Sequence, residues 1–326
     1  MVQFQHANQV VEVNEWNRES LDTPYPEGAR DKALLYCSNP SPYKFLSADH
    51  LYLFKRSRDC FPEQFWVEIF AYNLGIKMDV SVPPAFVAYD CEQKFCGALI
   101  EWFLSSEERV EEVVAGGDLC QQYILNFDRK KGIQHNFKTI VQIFEDLQKR
   151  YSTVFLDDWV AYWAKVFVFD ALIGNTDRHQ DNWSIIRGFT NDDKRGLLDV
   201  RISPVFDNGT SMGHEVFSKA FGTYTDEKIE QYVSHGRHHM KWDLADSARL
   251  SHIELLLKFI DAYPKTRDIM LECLFKANTE TFKSILDYLA SFKISVRLSH
   301  ERAHFMLRLL QFRHDQLIRA LEPRNK

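Results

Sequence analysis

No stretch of the 326-residue sequence approaches the ~18 consecutive apolar residues that a membrane-spanning helix needs. The first residues, MVQFQHANQVVEVNEWN, lack the basic head and apolar run of a secretory signal. Positive charge is not in excess: the formal net charge is −6, which argues against direct nucleic-acid binding through phosphate contacts. Cysteine is sparse. The six thiols (Cys37, Cys60, Cys91, Cys96, Cys120 and Cys273) are scattered and form no CxxC pair. They read as reduced cysteines of a cytoplasmic protein, without a disulfide framework. Internal repeats and low-complexity tracts are also missing.

Core-forming material, by contrast, is ample. Apolar residues make up 45% and aromatics 14%, and the 26% charged residues are ordinary for a soluble globular chain. The length suits one large bilobal domain or two small ones. The early part carries short aliphatic and aromatic runs, KALLYC (32–37), HLYLFK (50–55), PAFVAY (84–89) and FCGALIEWF (95–103), divided by Pro, Ser, Asn and Asp. One helix interrupts them, from about Pro62, suited to a first turn, to Leu74, with Gly75 as its stop. From about residue 105 the pattern turns helical, with amphipathic stretches at 135–150, 157–173, 251–262, 266–276, 279–292 and 299–321. The reading is α+β: a small sheet lobe over 1–104 and a larger helical lobe over 105–326. The acidic stretch SSEERVEEVV (105–114) lies near the change and is expected to follow a hinge.

The densest polar chemistry is GNTDRHQDNW, from Gly174 to Trp183. It follows WVAYWAKVFVFDALI, apolar nearly all round, as a buried helix must be. Such a helix is a rigid platform for the loop behind it. Twenty-five residues after Asn182, SPVFDNGTSMG ends an apolar, strand-like run on Asp207-Asn208-Gly209. Phosphoryl transfer from ATP needs a carboxylate to orient the attacking hydroxyl and oxygen ligands for Mg²⁺. Asp177 fits the base, and Asn182 and Asp207 fit the metal. Gly209 allows a sharp turn after the metal ligand. Lys55, ending a strand, and Glu68, on the next helix, supply the phosphate-binding lysine and its acidic partner, with Glu63 competing for Glu68's place. Strand-Lys, helix-Glu, Asp-x4-Asn and Asp-x-Gly occur here in the order of protein-kinase-like folds.

These segments resemble the HipA-like kinases, whose loop runs roughly GNxDxHxxN and whose metal strand runs roughly aPxFD. YLFK and VEIFAYNLGI resemble that family's Lys strand and Glu helix, PEGARDK (26–32) its phosphate-covering turn, and GRHHMKW (236–242) a segment following the metal motif. The resemblance covers roughly residues 25–245. It implies a bilobal protein-kinase-like fold, ATP with Mg²⁺, and transfer to Ser/Thr of a protein substrate. Position by position it makes Asp177 the base, Asn182 and Asp207 the metal ligands, Lys55 the phosphate lysine and Glu68 its partner. Gly28 would sit in the phosphate turn, and His179 would either support the loop or contact phosphate. The adenine is expected near Ile100–Phe103, with Glu101 and Phe103 as contacts. An antitoxin-like regulator is a further implied partner. The loop departs from the HRD of most protein kinases, and the phosphate turn has one glycine. The long domain that precedes the Lys strand in HipA toxins has no counterpart, so the sequence reads as a compact, stand-alone version.

Plainer readings stand beside these. Asp177, Asn182 and Asp207 could be a polar loop capping helix ends; Lys55 and Glu68 could be solvated surface charges. Asp181 reads as a surface acid. His235, His238 and His239 lack a fourth ligand for zinc, and Cys91-x4-Cys96 is no better. Trp159, Trp163 and Phe167 read as core. Two other functions compete. Type II phosphatidylinositol 4-kinases have a similar NTDRxxDNW loop and DNG, and a pseudokinase would keep the fold without transfer.

Overall fold

A computed structural model describes residues 3–18, 32–104, 110–155, 157–190 and 196–322. The N-terminal strands β1 (Val11–Glu12), β2 (Asn17–Arg18), β3 (Lys32–Tyr36), β4 (Leu51–Arg56), β5 (Ala85–Asp90) and β6 (Phe95–Glu101) form one sheet in the order β1-β5-β6-β4-β3-β2. All neighbours are antiparallel except β1 with β5. Each predicted run overlaps its strand, and β4 and β5 continue one residue further, to Arg56 and Asp90. Their β-branched and aromatic residues fit a half-buried pleat, and Tyr52 and Phe54 of β4 enter the core. The register sets Lys55 between Lys32 of β3 and Ala98 of β6, well inside the sheet.

Helix α1 (Phe65–Met78) packs on this sheet behind a 3₁₀ turn at Pro62–Gln64. It differs from the expectation at its end. Gly75 does not stop it; the helix runs on to Met78 and closes with Asp79 in the left-handed region, at φ 57°. Gly75 serves close packing instead. A Cβ there would lie 2.7 Å from Val82 Cγ2 and 2.9 Å from the Val80 carbonyl.

The remainder is mainly helical but not wholly so. Val110–Ala115, overlapping the acidic stretch 105–114, is strand β7; residues 105–109 lie outside the described ones. It pairs with β8 (Ser184–Phe189), which pairs with β9 (Leu197–Ile202), in a small antiparallel sheet that the sequence did not reveal. The helices of this part are α2 (Gly116–Tyr123), α3 (Phe137–Arg150), α4 (Trp159–Ile173), α5 (Asp226–His235), α6 (His252–Ala262), α7 (Thr266–Phe275), α8 (Thr279–Ala290) and α9 (His300–Leu321). Helix α4 is the expected buried platform: Trp163, Phe167 and Phe169 are almost fully covered. Asp158 caps its start by accepting from Ala161 N at 2.9 Å, and Gly174 ends it at φ 69°.

The C-terminal helices reach back to the sheet lobe. Helix α8 packs on α1, and Trp66 Nε1 donates to the Val296 carbonyl at 3.1 Å. One continuous apolar cluster joins the two parts, so the sheet lobe and the helices share a core. Among the described residues no helix is long and apolar enough to cross a membrane.

Candidate active site

Two strands bring the polar loops together. The loop after α4 runs straight into β8, and β9 runs straight into Ser203–Asp207. Pairing of Ile185 with Ile202 extends outward, where Ser203 N donates to the Ser184 carbonyl at 2.9 Å. The hairpin therefore sets Asn182 and Asp207, distant in sequence, at the same end of the small sheet. Residues 203–206 are extended but join no ladder, contrary to the strand-like reading. Val205 N instead donates to the Ser81 carbonyl at 2.7 Å, tying the segment to the turn after α1.

Lys55 crosses from the sheet to both neighbours. Its Nζ lies 2.8 Å from Glu68 Oε1 and 2.6 Å from Asp207 Oδ1. Lys55 is 7% exposed and Glu68 4%. Burying a charge is costly unless it is paired and hydrogen-bonded, and here one ammonium serves two carboxylates. Glu68 Oε2 also accepts from Asn208 N at 3.0 Å, so the helix carboxylate holds both the lysine and the residue after Asp207. Glu63 is engaged elsewhere: it accepts from Ser299 N and Oγ at 2.9 and 2.8 Å and faces Arg302. Glu68 is thus the lysine's partner. Asp207 takes a left-handed backbone, φ 56°, and its side chain remains about one-third exposed (34%).

Asp177 is half-buried. Its amide donates to Asn175 Oδ1 at 3.0 Å; its carbonyl accepts from His179 N at 2.8 Å and from Asn182 Nδ2 at 2.6 Å. Burial pushes the Asp177 carboxyl up; His179 opposes this, and the Asp207 carboxylate adds to it. Asn182 is buried, and its Nδ2 is spent on the loop, which leaves Oδ1 as the atom for a cation.

Arg178, which the sequence reading passed over, organises the site. It is 1% exposed. Nε and Nη2 grip Asp170 of α4 at 3.0 and 2.7 Å; Nη1 donates to the Asn182 carbonyl at 3.2 Å and to the Phe206 carbonyl; Nη2 reaches Asn208 Oδ1 at 2.7 Å. One guanidinium therefore joins the platform helix, the Asp177 loop and the Asp207 loop. Burial alone would push the Asp170 carboxyl up, but Arg178 and His238 hold it well below the usual range. The available signal was Asp170 itself, an acid amid the apolar run VFVFDALI, which calls for a polar partner.

His238, at 3.3 Å from Asp170 Oδ2, assigns GRHHMKW a supporting role. The segment is also tied to the start of α3, where Phe137 N and Lys138 N donate to the Lys241 and Trp242 carbonyls. Among the described residues no group of three or more His, Cys, Asp or Glu is placed to hold a metal by itself. An Asp207 carboxylate with an Asn182 amide oxygen is a sparse donor set. It suits Mg²⁺, which keeps waters and takes further oxygens from phosphates.

Other expected residues fall as follows. His179 accepts from Asp181 N at 3.2 Å through Nδ1, a bond that supports the loop. Asp181 is paired with Arg129 at 2.7 Å. Phe103 stacks on Phe206 at 5.3 Å, joining the end of the sheet lobe to the residue before Asp207. Glu101 lies opposite Tyr52 and accepts its hydroxyl at 3.4 Å. Gly28 lies outside the described residues.

The crystal structure of the Helicobacter pylori proinflammatory kinase CtkA is similar over 96% of both chains, with a TM-score of 0.72 at 14% identity. That likeness shows a kinase-like fold. HipA of Shewanella oneidensis MR-1, solved with HipB and operator DNA, aligns over 94% of this chain and 65% of its own at 16% identity, with a TM-score of 0.48. A golgi casein kinase aligns over 97% and 74% at 12% identity, with a TM-score of 0.42. No curated protein matches the sequence. The model for the HipA-like C-terminal domain matches residues 26–267, most of the chain, and the protein belongs to that family.

Proposed function

We propose that the chain is a cytoplasmic ATP- and Mg²⁺-dependent kinase that phosphorylates a Ser or Thr hydroxyl of a protein. The observation that carries this reading is the Lys55 ammonium held between Glu68 and Asp207, beside a loop that offers Asp177 and Asn182. In this reading ATP lies between a lobe of residues 1–104 and one of 105–326, with its adenine near Glu101 and Phe103. Asn182 Oδ1 and Asp207 would hold Mg²⁺, which when bound neutralises phosphate charge. Lys55 exchanges part of its bond to Asp207 for phosphate oxygens. Glu68 keeps it from swinging away. Asp177 orients the acceptor hydroxyl and takes its proton as the oxygen bonds to the γ-phosphorus, while the bond from that phosphorus to the bridging oxygen breaks and ADP leaves. His179 maintains the loop. The family relationship also suggests an antitoxin-like protein regulator.

Protein acceptors are favoured over lipids by the net charge of −6, which gives no general attraction to anionic membranes. The test offers ATP with peptides and with phosphatidylinositol vesicles in parallel. Transfer to peptide is expected, and Asp177→Ala is expected to lower it about 10²–10⁴-fold with an unchanged far-ultraviolet spectrum. Transfer to the lipid alone would replace the protein-kinase reading. Undiminished transfer by Asp177→Ala would remove the base assignment.

A further inference from the structure

Arg178, Arg302 and Arg313 are buried arginines of the lobe that carries the Asp177 loop. Arg178 grips Asp170, and Arg302 faces Glu63 at 3.6 Å. Arg313, in the middle of α9 and 6% exposed, makes no ion pair among the described residues. Of the five N–H donors of an arginine, one reaches the Ile173 carbonyl at 3.3 Å. The Tyr232 phenol hydrogen-bonds the guanidinium as well and donates its own hydroxyl to Glu215 at 2.6 Å, so that carboxylate acts on Arg313 only through an intervening group. Arginine does not shed its charge in proteins, so the fold holds a buried cation without a contacting counter-charge.

That guanidinium lines a cavity of about 180 Å³. Ser234 and Gly236 at the end of α5, Ser251 and His252 at the start of α6, and Gln316 form its other polar walls. The α6 N-terminus adds the positive end of a helix dipole. Glu254 closes the capping box there, its carboxylate accepting from Ser251 N at 2.8 Å. Burial pulls His252 down to about 4, so it is neutral at pH 7 and contributes no charge.

We infer that this cavity is a binding site for a small oxyanion of the phosphate class, held by Arg313 and the first turn of α6. Its volume admits a phosphate. The site borders the catalytic loop. A Cβ on Gly174 would lie 2.1 Å from Arg313 Cζ, so the guanidinium rests directly on the glycine that opens the loop. His252 Nε2 is 2.8 Å from the Asn175 carbonyl, two residues before Asp177. An anion that orders Arg313 and the α6 start therefore also orders Gly174 and Asn175. The site stands apart from the Lys55 cluster and does not depend on the kinase reading.

The experiment is a thermal-unfolding titration of the full chain with sodium phosphate, against sodium chloride at matched ionic strength. A saturable rise in Tm is expected. Gln316→Glu sets a carboxylate on the cavity wall, one turn from Arg313. It is expected to raise Tm in phosphate-free buffer and to abolish the response. Arg313→Met, which keeps the stem without the charge, is expected to lose the response as well. No saturable response in the unmodified wild type, or one that survives in both variants, overturns the assignment; the second result would place phosphate elsewhere, at Lys55 above all. Intact-mass measurement separates the sources. A phosphoryl group on Ser234 or Ser251 supports the site with a covalently attached anion, and a saturable response of an unmodified chain supports it with free phosphate.

Discussion

Lys55 and Arg313 are both buried cations, and they are balanced in opposite ways. Lys55 lies between two carboxylates, Glu68 and Asp207, whereas Arg313 touches carbonyl and phenol groups. Arg178 is intermediate, with Asp170 as its carboxylate and three further oxygens as acceptors. The difference teaches where a ligand's charge is wanted. At Lys55 the protein supplies negative charge in excess, which in the proposed reading serves a metal cation. At Arg313 a carboxylate, Glu215, acts only from behind the Tyr232 hydroxyl and the contacting groups are uncharged, as the proposed anion site needs.

The contrast can be broken by deleting each cation in turn. Arg178→Met should have the largest effect, about 3–5 kcal/mol, because it strands the Asp170 carboxylate in the core. Urea unfolding at pH 7 measures it, and a loss below about 1 kcal/mol would mean that Asp170 is neutral or hydrated. Lys55→Met should cost less, about 2–3 kcal/mol, since Asp207 is one-third exposed and regains water, and the buried Glu68 keeps its bond from Asn208 N. It should also remove metal-dependent nucleotide binding, read by calorimetry with and without Mg²⁺. Arg313→Met strands no carboxylate and should remain within about 1 kcal/mol of wild type in phosphate-free buffer. A cost like that of Arg178→Met would erase the distinction.

The smallest effect belongs to Asp177. Its folded pKa is raised, first by burial and then by Asp207, against His179. Protonation therefore favours the fold at low pH, and that contribution is lost as pH rises through the folded pKa. Asp177→Asn should raise Tm at pH 7 by about 1–2 °C. The gap should close as the pH falls below the ordinary aspartate value of about 3.9. An equal gap at both pH values would show that the carboxyl is unperturbed.

The sequence carried much of this. Strand-rich and helix-rich halves were legible because their periodicities are local, as was the buried character of α4, since few residues in WVAYWAKVFVFDALI tolerate water. Lys55, Asp177, Asn182 and Asp207 stood out by type and order. The small sheet did not. Its strand β7, VEEVVA, is acidic and lacks a period-2 alternation, and its pairing with β8, some seventy residues later, has no signature before the chain folds. Gly75 looked like a helix stop because glycine fits both a stop and a close contact; only the position of Val80 and Val82 separates the two.

Chemical identity and order along the chain were enough to single out Lys55, Asp177, Asn182 and Asp207 as candidates, because each type of side chain offers a limited set of donors, acceptors and charges. Which of Glu63 and Glu68 meets Lys55, that Arg178 binds three segments at once, and that Arg313 is left without a carboxylate were settled by folding alone. Charge balance in a protein interior depends on distances of a few ångströms, and those are set by packing between elements far apart in sequence.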